Sequence, residues 1–80
     1  MTLTTEAIEQ YIDDAEGPDR AALKLGPSVW FVIASLRTYG NDLGKVAYEF
    51  DVPLAAVEAA VAYYEQNRAC IDARIELNQA

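Results

Sequence analysis

Few residues in this chain belong to the types that carry out catalysis or hold metal ions. The sequence has no histidine and a single cysteine, Cys70. One thiol cannot form a disulfide within a chain, and the usual zinc ligand sets cannot be assembled without histidine or further cysteines. We expect Cys70 to be a small buried or half-buried thiol, and Tyr63 and Tyr64 to be packing groups. With no glycine-rich loop to hold phosphate either, we expect no enzymatic activity, no metal and no cofactor.

The charged residues favour recognition of another protein over binding of a polyanion. Thirteen acidic residues face six basic ones, which gives a net charge of −7 and a pI of about 4.2. Such a balance disfavours non-specific contact with nucleic acid or an anionic membrane, and suits a basic or multi-subunit partner. Residues 1–20 hold six acids and one base, whereas residues 21–50 hold two acids and three bases. Arg37 and Lys45, in that middle part, are the candidate DNA contacts.

The elements that position these side chains are predicted to be helices, in an all-α fold built as one domain over residues 1–80. An acidic N-terminal helix, whose carboxylates form a solvated face, is expected over residues 1–17 and ends at Gly17-Pro18. Residues 19–25 fit either a helical turn or a short extended segment. A helix-turn-helix core is expected over residues 28–64, followed by a helical extension over residues 65–80. With 52% apolar residues in so short a chain, we expect a homodimer.

Residues 29–39 form the most apolar stretch of the chain. Ser28 before them is a natural N-cap and Gly40 after them a natural helix end, so a buried helix is expected, although the β-branched residues also suit a strand. Trp30 is expected to pack and not to stack on a ligand. The longest apolar run covers six residues, too few to cross a membrane, and the acidic N-terminus lacks the features of a signal peptide. A cytoplasmic location follows, since a single cysteine suits a reducing compartment.

Residues 42–64 carry the spacing of a helix-turn-helix. Ala47 is the small residue that lets two helices approach, Asp51 occupies the turn with a residue type that tolerates left-handed geometry, and Pro53 lies near the start of the next helix. That helix meets no glycine or proline from Leu54 onward, so it is expected to continue as far as Leu77. The residues predicted to form the core or a dimer interface are Trp30, Phe31, Ile33, Leu36, Val46, Phe50, Val57 and Val61.

The second helix of this motif lacks the side chains that read DNA. Direct readout needs Arg, Lys, Asn or Gln near the start of that helix. Residues 53–62 read PLAAVEAAVA, in which Glu58 is the one polar side chain and would repel phosphate. The motif is therefore expected to be mainly architectural.

From Gly26 onward the chain resembles a family of small prokaryotic VapB-like antitoxins, formerly a domain of unknown function, encoded beside PIN-domain ribonuclease toxins. The resemblance rests on GPSVWFVIASLRTYG, on DLGKVAYEFDVPLAAVEAAVAYYEQN and on the tail RACIDARIELNQA, about 55 of 80 residues. Members of the family usually begin with a short strand and a Gly-Thr-Arg-like turn. Here the N-terminus reads as helical and the turn is Gly26-Pro27-Ser28.

The resemblance implies a non-catalytic antitoxin: a dimeric helix-turn-helix core with a C-terminal segment that binds a PIN-domain toxin, and weak operator binding as a further property. It also implies that an arginine enters the metal-binding acidic cluster of the toxin, for which Arg68 and Arg74 are the candidates. Ordinary pairing of Arg68 with Glu65 and Asp72 on the helix surface is the alternative. A stand-alone DNA-binding regulator is the alternative function. The expected toxin-binding residues are Tyr64, Arg68, Ile71, Arg74 and Ile75.

Overall fold

The computed structural model describes residues 2–24 and 26–79, with the side chains of residues 6–24 and 26–78, and expectations for residues 1, 25 and 80 lie outside this part. Here the chain is mainly helical, which confirms the predicted class, with one small sheet in addition. The helices are α1 (Thr2–Tyr11), α2 (Val29–Thr38), α3 (Leu43–Phe50), α4 (Leu54–Gln66) and α5 (Arg68–Gln79). Two short strands, β1 (Ile12–Asp13) and β2 (Ala22–Leu23), flank a 3₁₀ turn at Pro18–Arg20.

The N-terminal helix is shorter than the sequence predicts. It ends at Tyr11 and not near Gly17, and the chain continues as β1. Ile12, 5% exposed, pairs with Leu23 of β2 in antiparallel register, and Asp13 pairs with Ala22. The side chain of Asp13 accepts a hydrogen bond from the backbone N–H of Ala15 at 3.1 Å, a local turn that competes with a further helical turn. Burial of Ile12 in the sheet therefore decides where α1 stops.

The segment that the sequence leaves undecided contains both of the structures considered for it. Pro18–Arg20 forms the 3₁₀ turn and Ala22–Leu23 forms β2. Backbone hydrogen bonds also join β2 to the residues that precede α2. The N–H of Leu23 donates to the carbonyl of Pro27 at 3.0 Å, and the N–H of Val29 donates to the carbonyl of Ala21 at 2.9 Å. These bonds lead the chain directly from the sheet into α2.

Local signals set the ends of α2 and α3. Ser28 occupies the N-cap of α2, as predicted, and Gly40 has a φ of 67° just after the helix, a conformation for which glycine is suited. Asp42 caps α3, because its side chain accepts a hydrogen bond from the N–H of Lys45 at 3.0 Å. Asparagine is also a favoured N-cap residue type, but the preceding residue, Asn41, does not cap α3. Asn41 instead has a φ of 65° and belongs to the turn.

The turn between α3 and α4 has the expected geometry. Asp51 adopts the left-handed conformation, with φ 56° and ψ 48°, and its N–H bonds back to the end of α3. Val52 is half-buried against the core, and Pro53 is the N-cap of α4. The two helices pack against each other, so residues 43–66 form the predicted helix-turn-helix arrangement.

The expected long C-terminal helix is broken. The chain leaves helical geometry at Asn67, where φ is −136° and ψ is 36°, and α5 then packs against α2 and the 3₁₀ turn. Burial of Ile71 and Ile75, which are 0% and 1% exposed, fixes α5 in this position. Continuing straight on from α4 would take both side chains away from the core and into water.

Helix α4 lies at the centre of the molecule. It packs against α1, α2 and α3, and alanines at three of its inward positions let these neighbours approach closely. Its buried residues are Ala56, Val57, Ala59, Ala60 and Tyr63. Within the described part of the chain, no helix is both long and apolar enough to cross a membrane.

Candidate functional site

Three helices meet at a cluster made by Arg37 of α2, Tyr64 of α4 and Asp72 of α5. The guanidinium Nη2 of Arg37 lies 2.8 Å from Oδ1 of Asp72 and donates a second hydrogen bond to the Tyr64 hydroxyl at 3.1 Å. The Tyr64 hydroxyl in turn donates to Asp72 at 2.7 Å. Each pair within the triad is therefore directly bonded.

The local sequence explains how each member reaches the cluster. Arg37 lies in the last turn of α2, where a cation interacts favourably with the negative end of the helix dipole. Tyr64 is near the end of α4, and Asp72 follows the break at Asn67 by five positions, so the bend between the helices brings them together. The cluster forms only because α5 turns back over α2.

The charges of the cluster stabilise each other. The hydrogen bond from Tyr64 and then that from Arg37 lower the pKa of Asp72 below its ordinary value. The bond to Asp72 raises the pKa of Arg37, against a smaller opposing effect of burial. The side chains of Arg37 and Asp72 are 49% and 38% exposed, so water screens the ion pair and its contribution to stability is modest. The cluster joins three helices at fixed positions, while Ile71 and Ile75 of α5 are buried in the core.

Arg68 lies beside the cluster without joining its hydrogen bonds. Its guanidinium carbon is 4.9 Å from the centroid of the Tyr64 ring, a cation–π contact. Among the side chains that the structure describes, its expected pairing with Glu65 or Asp72 does not come within ion-pair distance. Arg68 is exposed, so a partner could reach its charge.

Arg74 is the second arginine that the sequence proposes for partner binding. It is half-buried, and its Nε is buried without a hydrogen-bond acceptor among the described residues. No carboxylate of residues 6–24 and 26–78 lies within ion-pair distance of it. Its charge is therefore not neutralised by this part of the chain.

The structure does not support partner contact by Ile71 and Ile75. Both were predicted to bind a toxin, and both are buried inside the chain's own core. The apolar stripe that the sequence indicates packs on α2 of the same chain. Leu77, 69% exposed, is the large apolar side chain that α5 presents to solvent.

The residues predicted for the core or a dimer interface fall into two groups. Ile33, Leu36, Val46 and Val57 are buried. The other four form a less enclosed region: Trp30, Phe50 and Val61 are half-buried, and Phe31 is 44% exposed. The Phe31 ring lies 5.6 Å from Trp30 and 5.5 Å from Phe50. This aromatic group lies at the edge of the core.

Both candidate DNA contacts are engaged within the chain. Arg37 is held by Asp72, and the Lys45 ammonium lies 5.2 Å from the centroid of the Tyr39 ring. The start of α4, where a reading helix presents its side chains, exposes Leu54 and Glu58. Helix α4 contains no lysine or arginine, so it has no cationic face to place in a groove.

Sequence reasoning missed two elements of the site. Asp72 was considered only as a neighbour of Arg68, and its partner Arg37 is 35 residues away, beyond any helical spacing. The Tyr63 hydroxyl donates to Asp14 at 3.2 Å, which ties α4 to the loop after β1. Burial and the nearby charge of Asp14 raise the pKa of Tyr63 to about 12.

Cys70, expected to be buried or half-buried, is exposed.

Side chains that could bind a metal ion are scattered over the described residues. Among them, no group of three or more histidine, cysteine, aspartate or glutamate residues is arranged to hold a metal ion. The cluster has a cation, a phenol and a carboxylate, and each is hydrogen-bonded to the other two. No family model, curated protein or solved structure matches this chain.

Proposed function

We propose that this protein is the non-catalytic antitoxin of a toxin–antitoxin pair and that it binds and inhibits a PIN-type ribonuclease. The observation that carries the proposal is the surface of α4, which packs against α1, α2 and α3 on its inward side, exposes Leu54 and Glu58 near its start and carries no lysine or arginine. A helix-turn-helix whose second helix has no cation supports a role in protein binding. The sequence resemblance described above supplies the identity of the partner.

The partner surface that we propose lies on the outer side of α5. Arg68 is exposed there, and the Arg74 charge is not paired with a described carboxylate. A toxin that holds a metal ion with clustered acids offers carboxylates to which an arginine can bind through two hydrogen bonds. The buried Ile71 and Ile75 position this face and do not form part of it.

Co-expression with the product of an adjacent PIN-domain gene tests the proposal. The two proteins should co-purify, and ribonuclease activity should return when the complex is dissociated. Arg68→Ala and Arg74→Ala should each weaken the complex about tenfold or more, whereas Arg20→Ala removes an exposed arginine from the 3₁₀ turn and serves as the control. Failure of the wild-type pair to associate at micromolar concentration would remove the proposal.

A stand-alone DNA-binding regulator is the second candidate, favoured by the arrangement of α3 and α4 alone. Titration of the isolated protein against its own promoter in a gel-shift assay separates the two. Tight binding that is lost in Arg37→Ala/Lys45→Ala would favour the regulator, and absence of binding favours the antitoxin.

A further inference from the structure

The break between α4 and α5 occurs at an asparagine and not at a glycine or a proline, neither of which is present in residues 54–80. Asparagine favours caps, but it costs the interior of a helix far less than proline does. The backbone nevertheless leaves helical geometry at Asn67. The bend therefore depends on the capping bonds of Asn67 and on the packing of α5, and one continuous helix over residues 54–79 is an alternative local structure for the same sequence.

The side chain and the backbone of Asn67 each make a hydrogen bond at the bend. Its side-chain Nδ2 donates to the carbonyl of Tyr63 at 3.0 Å, and its carbonyl accepts from the N–H of Ile71 at 3.1 Å. One residue thus satisfies groups at the end of α4 and at the start of α5. A hinge of one residue, closed by few bonds, can straighten at small cost.

The surface that α5 covers is specific for α5. Ile71 and Ile75 enter the core beside α2, and Asp72 pairs with Arg37 at 2.8 Å. When α4 and α5 form one helix, these side chains leave their own chain and the surface on α2 is uncovered. The segment that fits this surface in shape and charge is α5 of another copy.

We propose that two copies of this chain exchange α5. In the exchanged dimer α4 and α5 are fused through Asn67, and each copy places Ile71, Ile75 and Asp72 on α2 of the other. Every contact of α5 with the core is repeated between chains, so the dimer requires no new surface. The inference does not rest on the proposed function, because it concerns only the packing of this chain on itself.

A pair of substitutions at the hinge tests whether straightening drives association. Asn67→Ala and Asn67→Gly both remove the bond to the Tyr63 carbonyl, but alanine favours the continuous helix and glycine disfavours it. Two hinges straighten in each dimer. The dissociation constant measured by sedimentation should therefore be about thirtyfold lower for Asn67→Ala than for Asn67→Gly. Equal dissociation constants for the two variants would overturn the exchange. It would also be overturned if both variants remained monomeric at millimolar concentration.

A mixing experiment tests whether α5 crosses between chains. Arg37→Glu places two acids together within one chain, and Asp72→Arg places two cations together. Mixing the two variants restores an opposite-charge pair at both sites only when each α5 lies on the other chain. We expect heterodimers in the mixture and fewer dimers in either variant alone.

The double variant Arg37→Glu/Asp72→Arg is the matched control, since it restores the opposite charges on a single chain and should associate like the wild type. Circular dichroism of each variant verifies that the helices are retained. A mixture that sediments as the simple sum of its components would contradict the proposal even where the single variants are poorly folded.

Discussion

At the scale of single residues, Ile71 and Leu77 are apolar side chains of one helix in opposite surroundings. Ile71 is fully buried and Leu77 is 69% exposed. Ile71→Ala should lower the free energy of unfolding by about 2–4 kcal/mol, because it leaves a cavity in the core. Leu77→Ala should change that free energy by less than about 0.5 kcal/mol. Urea denaturation of both variants measures the difference, and equal losses would show that α5 does not pack as described.

Tyr63 predicts a dependence of stability on alkaline pH. Its pKa is raised to about 12 by burial and by the charge of Asp14, so the fold favours the protonated phenol. The resulting stability is complete below the ordinary tyrosine pKa of about 10 and is lost as the pH rises towards the folded value. Absorbance of tyrosinate should show a component near pH 12 in the wild type that disappears in Tyr63→Phe. An unchanged titration curve would argue against this environment.

The sequence could predict which residues carry charge or apolar surface, but not what each one contacts. The stripe containing Ile71 and Ile75 is visible from its spacing, since one face of a helix repeats every three or four residues. Whether that face meets its own core or another protein depends on the direction of α5, which its sequence does not contain. Arg37 was predicted as a DNA contact for the same reason: Asp72 is too distant in sequence to be recognised as its partner.

At the scale of elements, the turn between α3 and α4 carries a backbone conformation that few residues accept. Asp51 has a φ of 56°. Asp51→Gly should raise the free energy of unfolding by up to about 1 kcal/mol, because glycine adopts this region without steric cost. Asp51→Val should lower it by about 1–2 kcal/mol, since a β-branched residue is strained there. Thermal denaturation of the two variants tests the order, and a valine variant as stable as the glycine variant would contradict the left-handed conformation of residue 51.

Element ends were predictable where a local signal determines them. Ser28, Gly40 and Pro53 take the positions expected from their backbone preferences. The end of α1 and the break at Asn67 were not predictable, because each depends on a long-range contact. Ile12 leaves α1 to pair with Leu23, and the packing of α5 on α2 interrupts an otherwise unbroken helical sequence.

At the scale of the whole molecule, the cluster of Arg37, Tyr64 and Asp72 links three helices through a titrating group. The lowered pKa of Asp72 means that the ionised form is favoured in the fold. This contribution to stability is present above the ordinary aspartate pKa of about 3.9 and is lost as the pH falls below it. The wild type should therefore lose more stability between about pH 5 and pH 3 than Asp72→Asn does.

Comparing the two proteins at each pH is necessary because the chain carries a net charge of −7. Protonation of its other acids reduces their mutual repulsion and acts in both proteins alike. The difference between their denaturation midpoints therefore isolates Asp72. A difference that stays constant from about pH 5 to pH 3 would mean that the cluster does not hold the ionised carboxylate.

The engagement of the basic side chains within the fold has a consequence for how fast partners arrive. Arg20 and Arg37 pair with carboxylates, while Lys45 and Arg68 lie over tyrosine rings. These contacts leave the net charge at −7, so the excess of acids dominates the field around the molecule. Long-range attraction accelerates the encounter with a positively charged surface and is screened over about 8–10 Å in physiological salt. A basic partner is drawn in from a distance, while the arginines of α5 act only after contact.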